Sequence, residues 1–254
     1  MKKINLCSFL VIFTVVVTAQ NKPNPESTEL WEPVPPVVTP GENGKPSSDA
    51  IVLFDGTNLT GWECLDGNPA DWIVADGCFT VNSHKVLIED NKTTSNSIRT
   101  KRKFGDCQLH IEWRSPAEVK GDGQNRGNSG IGMQNHYELQ VLDCYDNKTY
   151  VNGMTGSMYK QSIPLVNACK KPGEWQTYDI IHIAPRFSEN GRVIVPGHIT
   201  VLLNGIAVQI NTEIRGSTAF VGLPKNHLHD LKEPISLQDH GCPVSYRNIW
   251  IREL

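Results

Sequence analysis

Apolar and polar side chains alternate from Tyr137 to Val141, with Tyr137, Leu139 and Val141 on one side and Glu138 and Gln140 on the other; the pattern breaks at Leu142-Asp143. A period of two predicts a strand with one face packed and the other open. The run Cys107–Arg114 alternates the same way, placing Cys107, Leu109, Ile111 and Trp113 inside and Gln108, His110, Glu112 and Arg114 outside. Near the C-terminus, Ile235 and Leu237 alternate with Ser236 and Gln238, and His240 keeps the register of Gln238. Solvent-facing strands usually carry Thr, Lys or Ser at such places. Carboxylates, carboxamides and imidazoles there suggest a hydrogen-bonding surface for a sugar-like ligand, against the plainer reading of a solvated sheet face. If the three strands share a sheet, their polar faces form one groove.

Further short runs predict strands at Ile51–Phe54, Trp72–Val81, Val86–Ile88, Ser97–Thr100, Gly130–Gln134, Trp175–Ile183, His198–Leu203, Ala207–Ile210 and Ile249–Ile251. Asp76-Gly77 and Asn204-Gly205 sit between apolar flanks as two-residue hairpin turns. No window holds an amphipathic helix of more than two turns, and there is no internal repeat. The fold class is therefore all-β, an antiparallel sandwich; in its jelly-roll form one sheet curves and its concave face is a trough suited to an oligosaccharide.

The N-terminus changes the picture of where this domain starts. Lys2 and Lys3 precede an apolar run from Phe9 to Val17 that is too short to span a bilayer, followed by Thr18-Ala19-Gln20, the pattern of a cleaved signal peptide. Residues 1–19 are read as this leader, 20–48 as a Pro-rich extended linker or strap with Trp31 as its anchor, and 49–254 as one domain. The protein is then exported, periplasmic or secreted. Of seven cysteines, Cys7 leaves with the leader. The remaining six allow fifteen full pairings, and several also fit as small buried hydrophobes. A net charge of −3 with 20% charged residues and no basic cluster excludes a nucleic-acid partner. A small molecule or oligosaccharide fits better, nothing predicts a membrane span, and nothing sets an oligomeric state.

Taken in order, Val52-Leu53-Phe54-Asp55-Gly56 with Gly61-Trp62, Glu112-Trp113-Arg114, Asn128-Ser129-Gly130-Ile131, Tyr137–Asp143, Gly156 with Tyr159, Gly173-Glu174-Trp175, Leu203-Asn204-Gly205, and Leu237–Gly241 followed by Arg247-Asn248-Ile249 resemble the 3-keto-disaccharide hydrolase family. The resemblance covers nearly all of Ile51–Leu254. It implies a concanavalin A-like lectin/glucanase jelly roll with a concave groove. It also implies an activity in which a ketone at sugar carbon 3 acidifies the proton on carbon 2, so that a base removes it, the glycosidic oxygen leaves and water adds back. No cofactor is expected; a structural calcium ion at an outer loop is compatible with the broad fold.

Laminarinase-type enzymes of that fold carry E-x-D-x-x-E on one strand, where this chain has Glu138-x-Gln140-x-x-Asp143. A retaining glycosidase needs two carboxyl groups about 5–5.5 Å apart, and Gln140 supplies neither role. A conventional glucanase is therefore disfavoured, and a non-catalytic lectin-like module stays as the rival from another class. The candidate catalytic residues are Glu138, as carboxylate, and His240, as acid or base. Gln140 and Gln238 are candidate hydroxyl readers, joined as substrate-binding candidates by Asp143, His110, Tyr159, and by Glu112 and Arg114 unless those two pair with each other. Asp239 is read as a loop anchor, and Trp62, Trp113 and Trp175 as core. His227-x-His229-Asp230 has ligand-type residues but no third partner marked.

Overall fold

The computed structural model describes residues 24–87 and 93–254; the leader falls outside them. The chain divides at Val37/Val38 into two units. In the described part of the first, a single 3₁₀ turn spans Pro25–Thr28.

The second unit is built from β1 (Ile51–Phe54), β2 (Trp62–Cys64), β3 (Ile73–Ala75), β4 (Cys78–Thr80), β5 (Lys85–Leu87), β6 (Thr93–Ser95), β7 (Ile98–Phe104), β8 (Cys107–Arg114), β9 (Ser129–Met133), β10 (Tyr137–Val141), β11 (Gln176–Ile183), β12 (Arg186–Phe187), β13 (Val193–Val195), β14 (Gly197–Leu203), β15 (Ile206–Ile214), β16 (Glu233–Leu237) and β17 (Ser245–Glu253). One sheet runs β15-β14-β11-β8-β17-β4-β3, with β1 also on β17; the other runs β10-β9-β16-β7-β2. Strand pairing is antiparallel throughout both. The inward sides of the two sheets merge into one core in which Leu109, Ile111, Trp113, Ile131, Leu139, Val141 and Ile180 are fully buried. This is the expected sandwich.

Local chemistry sets the corners. Asp76-Gly77 (φ 51° and 70°) and Asn204-Gly205 (φ 54° and 80°) take left-handed conformations in their hairpins, as their sequences demand. Strand β17 is much longer than Ile249–Ile251 because its register shifts between Arg247 and Trp250, with Asn248 at φ 45°. A bulge of this kind resets the alternation, so the first half of the strand carries a different inside–outside phase.

Residues from Val38 onward belong with the domain. The Gly44 carbonyl accepts hydrogen bonds from Asn248 Nδ2 and Trp250 Nε1, both at 2.9 Å, pinning the end of the Pro-rich segment onto the outer face of the larger sheet. Among the described residues no helix is long and apolar enough to cross a membrane.

Candidate active site

The pairing registers set Glu138 opposite Gly132, Gly132 opposite Ser236, Ser236 opposite Arg99 and Arg99 opposite Glu63, one polar row across the outward face of the smaller sheet. Two glycines make its floor. A Cβ on Gly130 would fall 2.9 Å from Glu138 Cγ and Oε1, so the carboxylate arm lies across the bare backbone there. The carboxyl borders a cavity of about 240 Å³ whose lining includes Gly130, Gly132, His136, Thr218, Ser236 and Gln238. No donor among the described residues hydrogen-bonds it, although the Glu138 backbone N–H donates to Thr218 Oγ1 at 2.9 Å. Burial without compensating partners penalises the charged form and lifts the Glu138 pKa to about 7. Arg99, the nearest cation along the row, is held instead by Glu63 at 2.9 Å.

His136 shares this cavity. It stands in the tight connection between β9 and β10, where Gln134 and Asn135 both take positive φ (51° and 56°). Its ring stacks on His229 at 4.6 Å between centroids. Desolvation first, then the neighbouring His229, lowers its pKa, so the imidazole is neutral at physiological pH and keeps one N–H to donate. The sequence pattern does not mark His136, which falls just before the alternating run. The Gln134-Asn135 pair, polar and tolerant of left-handed backbone, is the signal that a short hairpin rather than a long loop places it beside Glu138.

Gln238 lines the Glu138 cavity and also an adjoining hollow of about 550 Å³ formed by Ser83, His84, Ser95, Asp239, His240 and Gly241. Glu138 and His240 thus open on the same face of the molecule, joined through Gln238. The Gln238 Oε1 atom is buried and has no partner among the described residues. His240 itself is exposed. Asp239 anchors its loop as read from the sequence, its two oxygens accepting from Asn96 N at 3.0 Å and Gly241 N at 2.9 Å.

Three other candidates stay on this side of the protein but meet different partners. Gln140 points the same way as Glu138 along β10, yet is fully buried, its Nε2 donating to Asn128 Oδ1 at 2.9 Å, and its backbone pairs with the chain at Gly156-Ser157. Asp143 is 4% exposed and gripped by Arg126, whose Nε donates to Oδ2 at 2.6 Å. Tyr159 flanks Glu138, its N–H donating to the Glu138 carbonyl at 3.0 Å, while its hydroxyl is taken by Tyr150 at 2.6 Å.

His110, Glu112 and Arg114 are not brought to this groove. They lie on β8 in the larger sheet, whose outward face is the opposite side of the sandwich from β10, so the three alternating strands do not share a sheet. His110 is 3% exposed, bonded to Asp179 Oδ1 at 2.7 Å and stacked on Trp250 at 5.1 Å. Glu112 pairs with Arg247, its register partner on β17, at 2.6 Å rather than with Arg114. Arg114 and Arg247 instead both cover the Trp175 ring, at 4.7 and 4.1 Å, which makes Trp175 a half-buried surface platform and not a core residue. Trp62 and Trp113 are in the core as read.

No cluster of three metal-ligating side chains occurs among the described residues. His229 has both ring nitrogens engaged, Nδ1 with the Asp230 carbonyl at 2.7 Å and Nε2 with Tyr137 OH at 2.6 Å.

A family model described as the 3-keto-alpha-glucoside-1,2-lyase-like domain matches residues 49–252. The chain belongs to this family. The family is that of the 3-keto-disaccharide hydrolases. A crystal structure from Parabacteroides distasonis, provisionally called a glycosyl hydrolase, is 51% identical over 91% of this chain and 97% of its own, with a TM-score of 0.83. Two more structures from that organism with the same provisional name, at 20% and 24% identity and TM-scores of 0.56 and 0.54, each cover 81% of this chain and share the fold. They are covered over 94% and 99% of their own lengths. No match was found among curated proteins. Within this family of carbohydrate-active enzymes, the Glu138 cavity is the candidate active site.

Proposed function

We propose that the protein hydrolyses the glycosidic bond of 3-keto-glycosides by abstraction of the C2 proton, elimination of the leaving alcohol and readdition of water, outside the cytoplasm. One observation carries the reading: Glu138 presents a carboxyl with no protein partner to a cavity floored by glycine, at a pKa of about 7. A base poised near neutrality accepts a proton from an acidified C–H and returns it in the same cycle.

The steps follow from the neighbours. The Glu138 carboxylate takes the C2 proton, and charge develops on the C3 oxygen. Neutral His136 donates its N–H to that oxygen, a stabilisation that strengthens as the enolate forms. The enolate expels the C1 oxygen, which takes a proton from His240 across Gln238. Water then adds to C1 of the unsaturated ketone, giving its spare proton to His240, and protonated Glu138 returns its proton to C2. One water is consumed, one C–O bond is broken and one formed. The open glycine floor suits a flat sugar ring laid against the sheet, with Gln238 at its edge.

A conventional retaining mechanism lacks its second carboxyl. Asp143 is sealed by Arg126, and the Glu138 cavity holds no other Asp or Glu. A lectin-like role is disfavoured because no Trp, Tyr or Phe among the described residues lines that cavity, whereas sugar-binding modules lean on such platforms. The test is incubation of the purified protein with a 3-keto-disaccharide and with its unoxidised parent. Cleavage confined to the oxidised sugar supports the proposal; cleavage of the parent, or binding without turnover, overturns it.

A further inference from the structure

Among the described residues two thiols come together at one place, and neither lines the Glu138 cavity. Cys144 follows the Asp143 corner and Cys169 lies far along the chain, yet the two thiols are close enough to shift each other's ionisation. The backbones are drawn together as well: Asn167 Nδ2 donates to the Cys144 carbonyl at 2.9 Å, and the Cys169 N–H donates to Asn167 Oδ1 at 3.2 Å. Thr155 completes the arrangement, its N–H and its Oγ1 each 3.3 Å from the Cys144 sulfur.

The other sulfurs are placed differently. Cys64 donates to the Pro69 carbonyl and Asn96 Oδ1, Cys78 to the Ala75 carbonyl, and Cys242 to the Asn125 carbonyl. Cys107 is completely buried, and desolvation pushes its pKa up to about 12. None of these has a second thiol as its neighbour among the described residues.

We propose that Cys144 and Cys169 close an intramolecular disulfide when the folded protein meets a disulfide oxidant. The neighbours of Cys144 also ease its ionisation: the Cys169 thiol first, then Thr155, lower the Cys144 pKa against the effect of burial, while the same pairing raises that of Cys169. Cys169 is half-exposed and is the sulfur an external oxidant reaches; Cys144 is 1% exposed. Cys169 loses its proton to the departing oxidant sulfur as its own sulfur attacks the oxidant's S–S bond, which releases one thiol of the oxidant and forms a mixed disulfide. The Cys144 thiolate then attacks the Cys169 sulfur, the new S–S bond forms, and the second oxidant thiol leaves. Two electrons pass to the oxidant, and the two protons of the cysteines end on its thiols.

The bond has a structural consequence for the active site. The loop it closes contains Ser157, Met158 and Tyr159, which lie along β10 beside Gln140, Leu139 and Glu138. A cross-link at its ends holds that wall against the strand carrying the proposed base.

The folded protein is treated with oxidised glutathione, denatured without reductant, alkylated and mapped by mass spectrometry. The expected product is a cross-linked peptide pair joining Cys144 to Cys169, lighter by two hydrogens, with the other cysteines alkylated. Oxidation should raise Tm by at least about 4 °C, reversibly with dithiothreitol. That rise should vanish in Cys169→Ala, a substitution at a half-exposed position that leaves the core intact, and in Cys144→Ser. Full alkylation of both residues, a glutathione adduct that stays on Cys169, or cross-linking of another pair overturns the proposal. The outcome is independent of whether a 3-keto-glycoside is cleaved.

Discussion

Glu138 lies across Gly130: its Oε1 is 2.9 Å from where a Cβ on that glycine would stand. The absent side chain is what lets the carboxylate rest on the sheet and leaves room above it. Gly130 has no left-handed backbone to defend, so alanine there is tolerated by the strand and resisted only by the carboxylate arm. Gly130→Ala should keep the fold, seen as an unchanged far-UV circular dichroism spectrum, and lower kcat/KM at least about 10-fold, because a displacement near 1 Å is enough to spoil proton transfer.

The raised pKa of Glu138 sets the pH dependence. The carboxylate form is the base, so kcat/KM for a 3-keto-glycoside should rise with pH through an apparent pKa of about 7. Glu138→Gln should abolish that limb and cost roughly 10²-fold or more in rate. A flat profile below pH 7 in the native protein would count against Glu138 as the base.

Stability should move the other way. A carboxyl whose folded pKa is raised from 4.5 to about 7 contributes fully below the unfolded value, and that contribution is lost as pH rises through the folded value. At pH 9 the buried charge costs up to about 3 kcal/mol. Glu138→Gln should therefore be more stable than the native protein to urea at pH 9 and nearly equal to it at pH 4.

His136 and His240 are separable by kinetics. His136→Ala should lower kcat by about 10²–10³ with little change in KM, because its N–H is needed most when the enolate forms. His240→Ala should lose at least about 10²-fold with a poor leaving alcohol and less with an acidic one such as 4-nitrophenol, which departs without a proton. Equal losses with both leaving groups would remove His240 from the acid role.

Asp143, a substrate-binding candidate by sequence, is expected to act through structure. It is paired with Arg126 at 2.6 Å at 13% and 3% side-chain exposure. Asp143→Ala leaves a poorly solvated guanidinium and should cost about 3–5 kcal/mol in urea denaturation. KM should stay within about two-fold of native wherever the variant is folded; a large KM change at full stability would return Asp143 to the binding site.

Arg114 is the control on the opposite face. It covers Trp175 together with Arg247, and Arg114→Ala should leave kcat/KM within about two-fold, since surface changes of this kind shift stability by only about 0.5 kcal/mol. A larger loss would connect the outer face of β8 to catalysis.

The alternating runs at Cys107–Arg114 and Tyr137–Val141 determined by themselves that this chain forms strands with one packed face. Asp76-Gly77 and Asn204-Gly205 likewise determined two hairpins, because backbone sterics act within a few residues. What the sequence left open was which outward faces meet. The alternation of β8 is as regular as that of β10, yet β8 sits between β11 and β17 in the other sheet, and its His110, Glu112 and Arg114 find Asp179, Arg247 and Trp175 on the face away from the Glu138 cavity. Burial was equally undecided: Glu138 and Gln140 point the same way, but Gln140 is fully buried against Asn128 whereas Glu138 borders a cavity. Period two fixes the side of a strand on which a residue lies, whereas sheet order and the path of distant loops decide whether that side meets water, a partner or a cavity. His136 joins Glu138 for the same reason, through a hairpin turn that no hydrophobic pattern records.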